Sequence, residues 1–212
     1  FKIQLVLSLI HKPEPSPKME LILASTSPYR ERLLSRLGLP FSCEAPGCDE
    51  TPETDEPPWD LAGRLALAKA RSVSLRYPGK WVIGSDQVAA VDRDIMGKPG
   101  NHENAAAQLR ASSGRRVDFY TGVALVGGPQ QQEKFHVEHF SVYFQTLSDE
   151  AIDAYLRREK PYDCAGSFKC EGLGIVLFEK LSGDDPSSLE GLPLIALTRL
   201  LRDVKIDPLK TY

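Results

Sequence analysis

Short apolar runs of strand length alternate along the chain with stretches of helical period, and that alternation predicts a mixed α/β fold. The first run predicts a strand over 20–25. A helix from Pro28 to Leu37 follows, with Leu33, Leu34 and Leu37 on its buried side and Gly38 closing it. A second strand is predicted near 41–45. Beyond the acidic, proline-rich loop from Asp49 to Pro58, a helix over about 59–76 carries Leu61, Leu65 and Ala68 along one stripe. Lys69 borders that stripe among Ala62, Ala66 and Val73, where it either snorkels outward or reaches into a cleft.

Trp81–Ser85 reads as a buried strand ending at Asp86, with Gln87 to Val91 continuing it toward a turn at Asp92-Arg93-Asp94. The chain returns through Ile95 to Pro99, placing Lys98 in a constrained Gly-Lys-Pro turn, and a helix follows near 103–111. Two alternating segments, 115–126 and 133–145, flank Gly127-Gly128-Pro129 and predict a hairpin. A helix begins at Ser148, with Asp149 and Glu150 in the first turn where the macrodipole favours them. After the polar, glycine-rich segment Cys164–Gly174 come a strand over Leu173–Leu181 and a last helix from Pro193 to Arg202. The expected architecture is a mixed sheet with flanking helices and two lobes around a cleft.

Composition narrows the class. The 212 residues, 42% of them hydrophobic, suffice for a large core without metals or disulfides. A net charge of −3 argues against general binding to nucleic acid or to an anionic membrane. Cys43, Cys48, Cys164 and Cys170 lack the Cys-x-x-Cys spacing of structural zinc and read as free intracellular thiols, so a cytoplasmic location is expected. Residues 1–18 read as an upstream extension, disordered or non-native, ahead of one domain over 19–207 that opens at Met19.

Chemistry concentrates where the first strand meets the first helix. Ser25-Thr26-Ser27-Pro28-Tyr29-Arg30 sets hydroxyls, a helix-starting proline and an arginine in front of first-turn amides, with Ser27 as the N-cap; such a corner binds anions. Collecting the other polar groups at strand ends, turns and helix starts adds Glu50, Lys69, Asp86, Lys98 and Glu171. Cations hold phosphate oxygens and carboxylates hold a hard ion or orient water, so the set suits phosphate-ester hydrolysis. There is no Walker-type loop, no dinucleotide-binding glycine motif after a strand and no Gly-x-Ser-x-Gly elbow.

In order along the chain stand Ala-Ser-Thr-Ser-Pro-Tyr-Arg at 24–30, Cys-Asp-Glu-Thr-Pro at 48–52, Ala-Lys-Ala at 68–70, Gly-Ser-Asp-Gln at 84–87 and Gly-Lys-Pro at 97–99. Phe-Tyr-Thr-Gly at 119–122, Ala-Gly-Ser-Phe-Lys-Cys-Glu-Gly at 165–172 and Gly-Leu-Pro at 191–193 follow. This series resembles the Maf family of nucleotide pyrophosphatases, and Tyr29, Gln87 and Glu171 resemble its 7-methyl-GTP branch.

The resemblance implies an inosine-triphosphatase-like fold and cleavage of a nucleoside triphosphate to the monophosphate and pyrophosphate. It casts Asp86 as the proton acceptor, and Ser25, Ser27, Arg30, Lys69 and Lys98 as phosphate ligands. Tyr29, Gln87 and Glu171 become the base-selecting groups. Glu50 and Asp86, with Asp49 as the alternative to Glu50, become ligands of a divalent cation, Mg²⁺ or Mn²⁺. The expected partner is the nucleotide alone, with no nucleic acid or membrane, and a homodimer is left open. The competing readings are the dTTP/UTP activity of the same family and a non-catalytic nucleotide-binding regulator of cell division.

Overall fold

The computed structural model describes residues 21–210; the extension expected over residues 1–18 lies outside the described residues. Among the described residues seven strands form one sheet. They are β1 (Leu21–Ala24), β2 (Phe41–Glu44), β3 (Trp81–Val91), β4 (Asp94–Met96), β5 (Arg116–Gly127), β6 (Gln132–Phe144) and β7 (Phe178–Gly183). The order is β2-β1-β3-β5-β6-β7, with β4 on β3. β1 runs parallel to β2 and β3, and all other pairings are antiparallel. The five α-helices among the described residues are α1 (Pro28–Ser35), α2 (Pro58–Ser74), α3 (His102–Ser112), α4 (Asp149–Glu159) and α5 (Leu194–Asp203). None of the helices among the described residues is long and apolar enough to cross a membrane. The mixed sheet with flanking helices is the architecture the pattern predicts.

One face of the sheet lies under α2, which packs unusually close. A Cβ at Gly84 would stand 2.2 Å from the Ala66 carbonyl oxygen, and one at Gly122 2.2 Å from that of Ala62. These glycines let the helix backbone settle onto β3 and β5, where Ala66, Ala70 and Val73 bury with Ile22, Val82 and Ala124. The opposite face carries two separate apolar clusters. One joins Leu23, Ile83 and Leu125 to α1 and α5; the other joins Phe119, Phe140 and Phe144 to α3 and α4.

Between the two clusters runs a polar seam. Ser85 Oγ donates to the carbonyls of Gly122 (2.7 Å) and Gly191 (2.9 Å), and Thr121 Oγ1 donates to the Ser188 carbonyl at 3.0 Å. The Gln87 amide donates to the Ser188 carbonyl at 2.8 Å and the Leu189 carbonyl at 3.2 Å. The 3-10 segment Pro186–Glu190 is thereby fastened across the sheet. Asp185 completes the fastening, accepting from the amides of Ser187 (3.0 Å) and Ile195 (2.6 Å) and so seating the start of α5.

Three local expectations change. Asp86 lies at the centre of one 11-residue strand rather than at a strand's end, because β3 continues past β1 to pair with β4. Leu173–Leu177 is a 3-10 segment and only Phe178–Gly183 is strand. There the Leu173 amide donates to Glu159 Oε2 at 2.9 Å and the Gly174 amide to the Lys169 carbonyl at 3.0 Å, bonds that replace a strand ladder. Ser27 occupies the N-cap position of α1 but its side chain caps nothing. Its amide turns back instead to donate to Ser25 Oγ at 3.1 Å.

Candidate active site

The sheet itself opens the site. β1 is paired with β3 from Leu21–Trp81 to Leu23–Ile83 and then leaves it, whereas β4 joins β3 only from Ala89 onward. Along the interval the edge of β3 faces a cleft of about 640 Å³, lined among others by Ser25, Ser27, Arg30, Glu50, Lys69, Asp86 and Lys98. All the expected phosphate and carboxylate groups therefore converge. The first bond of α1 runs from the Glu31 amide to the Ser27 carbonyl, so the Tyr29 and Arg30 amides precede the helical ladder at the cleft wall.

Lys69 is only 6% exposed and points inward, which decides between the two orientations the sequence allows. Its Nζ lies 2.6 Å from Asp86 Oδ1 and 2.8 Å from Glu50 Oε2. A buried ammonium needs such partners, since an isolated charge there would cost several kcal/mol, on the order of 3–5 when a partner is removed. Arg30 donates from Nε to the Gly191 carbonyl at 2.9 Å. Burial draws its pKa below the ordinary arginine value, while Asp86 and Glu50 pull it back up. Lys98 is exposed at the rim and makes no ion pair among the described residues.

No three His, Cys, Asp or Glu side chains among the described residues converge to hold a metal. Asp86 and Glu50 share the Lys69 ammonium, and Asp49 instead accepts from the Thr51 amide at 2.9 Å within its own loop. The donor set fits a hard divalent ion of the kind held by one or two carboxylates, with phosphate oxygens and water completing the shell. Glu50 is the better placed of the two loop carboxylates, because it lines the cleft.

The remaining wall holds Tyr29, Gln87 and Glu171. Tyr29 is half-buried; burial raises the pKa of its hydroxyl, Cys164 and Asp163 raise it further, and Lys169 opposes them. The Gln87 amide is occupied with the Ser188 and Leu189 carbonyls. Glu171 accepts weakly from the Cys170 thiol at 3.5 Å and lies 3.8 Å from Arg32.

Sequence reasoning passes over Arg32 and Glu190, which look like solvated side chains until the fold brings α1 and the 3-10 segment Pro186–Glu190 together. It finds the Gly-Leu-Pro motif but not its task. Gly191 has φ of 105°, and its carbonyl receives both Arg30 and Ser85. Gly191→Ala is expected to cost about 1–3 kcal/mol in backbone strain and to weaken nucleotide binding by displacing Arg30. Thermal melting and KM measured on the same variant check both effects.

The class this fold and cleft define is a mixed α/β protein whose cleft, at the end of β1 next to the start of α1, is lined by Arg30, Lys69 and Lys98 together with carboxylates. The chain belongs to the Maf-like protein family, whose sequence model matches residues 20–204. It is 56% identical over 189 residues, 89% of this chain and 94% of the relative, to a 7-methyl-GTP pyrophosphatase of Nitrosococcus oceani. Among solved structures it is similar to a HAM1 protein from Coxiella burnetii, at 15% identity and TM-score 0.46 over 72% of this chain and 88% of that one. It is also similar to the Staphylococcus aureus Ham1 protein, at 18% identity and TM-score 0.42 over 59% of this chain and 71% of that one.

Proposed function

We propose that this chain hydrolyses 7-methyl-GTP to 7-methyl-GMP and pyrophosphate, acting in the cytoplasm on modified nucleotides of the free pool through one domain over residues 19–207, as a homodimer. The observation that carries the reading is the convergence of Asp86, Glu50, Lys69 and Arg30 at the strand edge beside the start of α1. Support for the substrate comes from the name of the 56% identical relative and from an aromatic ring and a carboxylate, Tyr29 and Glu171, on the same cleft wall.

Arg30, Lys69 and Lys98, with Ser25, Ser27 and the first-turn amides, hold and neutralise the triphosphate oxygens. Asp86 accepts the proton of the attacking water as its oxygen bonds the α-phosphorus and the bridging oxygen leaves with pyrophosphate. Asp86 and Glu50 would hold a divalent cation, Mg²⁺ or Mn²⁺, which would supply further neutralisation of phosphate charge. N7 methylation makes guanine cationic, so the face of Tyr29 attracts it more than a neutral base; Glu171 accepts from guanine N1–H and the exocyclic amine, donors that thymine does not present in that pattern. Gln87, through its hold on the Ser188–Leu189 backbone, fixes the wall against which the base rests.

Pyrophosphate release from a panel of nucleotides tests the proposal. 7-Methyl-GTP is expected to exceed GTP in kcat/KM by about tenfold, in line with a cation–π gain of roughly 0.5–2 kcal/mol. Equal turnover of dTTP, UTP and 7-methyl-GTP overturns the substrate. Tight binding without pyrophosphate release overturns the enzyme.

A further inference from the structure

Arg32 gathers three groups of the base-facing wall. Its guanidinium carbon lies 5.9 Å from the Tyr29 ring centroid, one terminal nitrogen lies 3.1 Å from Glu190 Oε2, and the same nitrogen lies 3.8 Å from Glu171 Oε1. The exposures are unequal: 55% for the Arg32 side chain against 21% for Glu171 and 22% for Glu190. Glu171 and Glu190 line the cleft and Arg32 does not. One arginine therefore braces two carboxylates from the solvent side, and one negative charge of the trio is left uncompensated toward the cleft. The partly buried Cys170 thiol registers both carboxylates: burial, then Glu171, then Glu190 push it up to about 12.

Glu190 is also well anchored. The carbonyl of Leu189 before it is held by Gln87 at 3.2 Å, and that of Gly191 after it by Arg30 and Ser85 at 2.9 Å each. A carboxylate fixed on such a backbone keeps its place while a ligand enters. We infer that Glu190 is a second specificity-determining carboxylate of the base pocket, which together with Glu171 selects a positively charged purine by charge, Arg32 serving as the positioning residue behind both. The inference rests on the nucleotide reading above and adds a residue that reading does not require.

Three proteins measured with 7-methyl-GTP and GTP test it: wild type, Glu190→Gln and Glu190→Asp, each checked for folding by thermal melting. The readout is the ratio of kcat/KM for the cationic nucleotide to that for the neutral one. Glu190→Gln is expected to lower the ratio about threefold to fivefold, the effect of one partly exposed charge, and Glu190→Asp to hold it near the wild-type value. A wild type that discriminates while Glu190→Gln discriminates equally well overturns the role of Glu190 and leaves the nucleotide reading standing. An equal fall in both variants shows that shape rather than charge matters, and also overturns it. A wild type that does not discriminate overturns the base reading and this inference together.

Discussion

Asp86→Asn is expected to lower kcat by about a hundredfold to ten-thousandfold, the usual loss on removing a general base. The exchange preserves size and leaves an oxygen able to accept from Lys69, whose contact with Asp86 is 2.6 Å. Glu50 continues to hold the same ammonium at 2.8 Å, so the buried charge is not stranded. What asparagine cannot do is receive the proton from water. The fall should therefore appear in kcat, with KM little changed and a melting temperature close to that of wild type. Full activity in Asp86→Asn would remove the residue from this role, and a collapsed melting curve would show that Asp86 serves chiefly as a partner for Lys69.

The second large effect is expected at Gly84, a residue with no side chain to touch the substrate, two positions before Asp86 on β3. Gly84→Ala would place a methyl carbon 2.2 Å from the Ala66 carbonyl oxygen and 2.7 Å from the Ala70 amide nitrogen. Both obstacles are backbone, so no rotamer change relieves them, and α2 must lift from the sheet. A cost of about 3 kcal/mol or more follows, a large part of the 5–15 kcal/mol that typically holds a domain together. Lys69 is the neighbour of Ala70 on that helix, so even a variant that folds should bind triphosphate poorly. Denaturant titration gives the stability loss, and KM for the nucleotide gives the displacement of Lys69. Wild-type values in both would mean that the helix and strand are less tightly apposed than the glycine contacts indicate.

These two positions also mark what the sequence makes legible. The corner from Ser25 to Arg30, the helix stripe around Lys69 and the β5–β6 hairpin rest on local signals: a helix-starting proline, helical period and alternation around paired glycines. Local signals survive without knowledge of the fold. The central position of Asp86 is different, because a strand flanked on both sides reads as one apolar run whether it stops or continues. Leu173–Leu177 looks like strand by hydrophobicity, and only its tie to Glu159 shows otherwise. Glu190 and Arg32 are single charges 158 residues apart in sequence, and nothing local to either announces the other.

The cleft divides its labour between two kinds of backbone. Asp86 rides at the middle of the sheet, locked by β5 on one flank and by α2 above, whereas Glu171 and Glu190 sit on connecting segments that touch the sheet through a few hydrogen bonds. Inheritance can exploit that split. Under the proposed mechanism, substitutions in the two segments would retune which base is welcomed without disturbing the strand that carries Asp86.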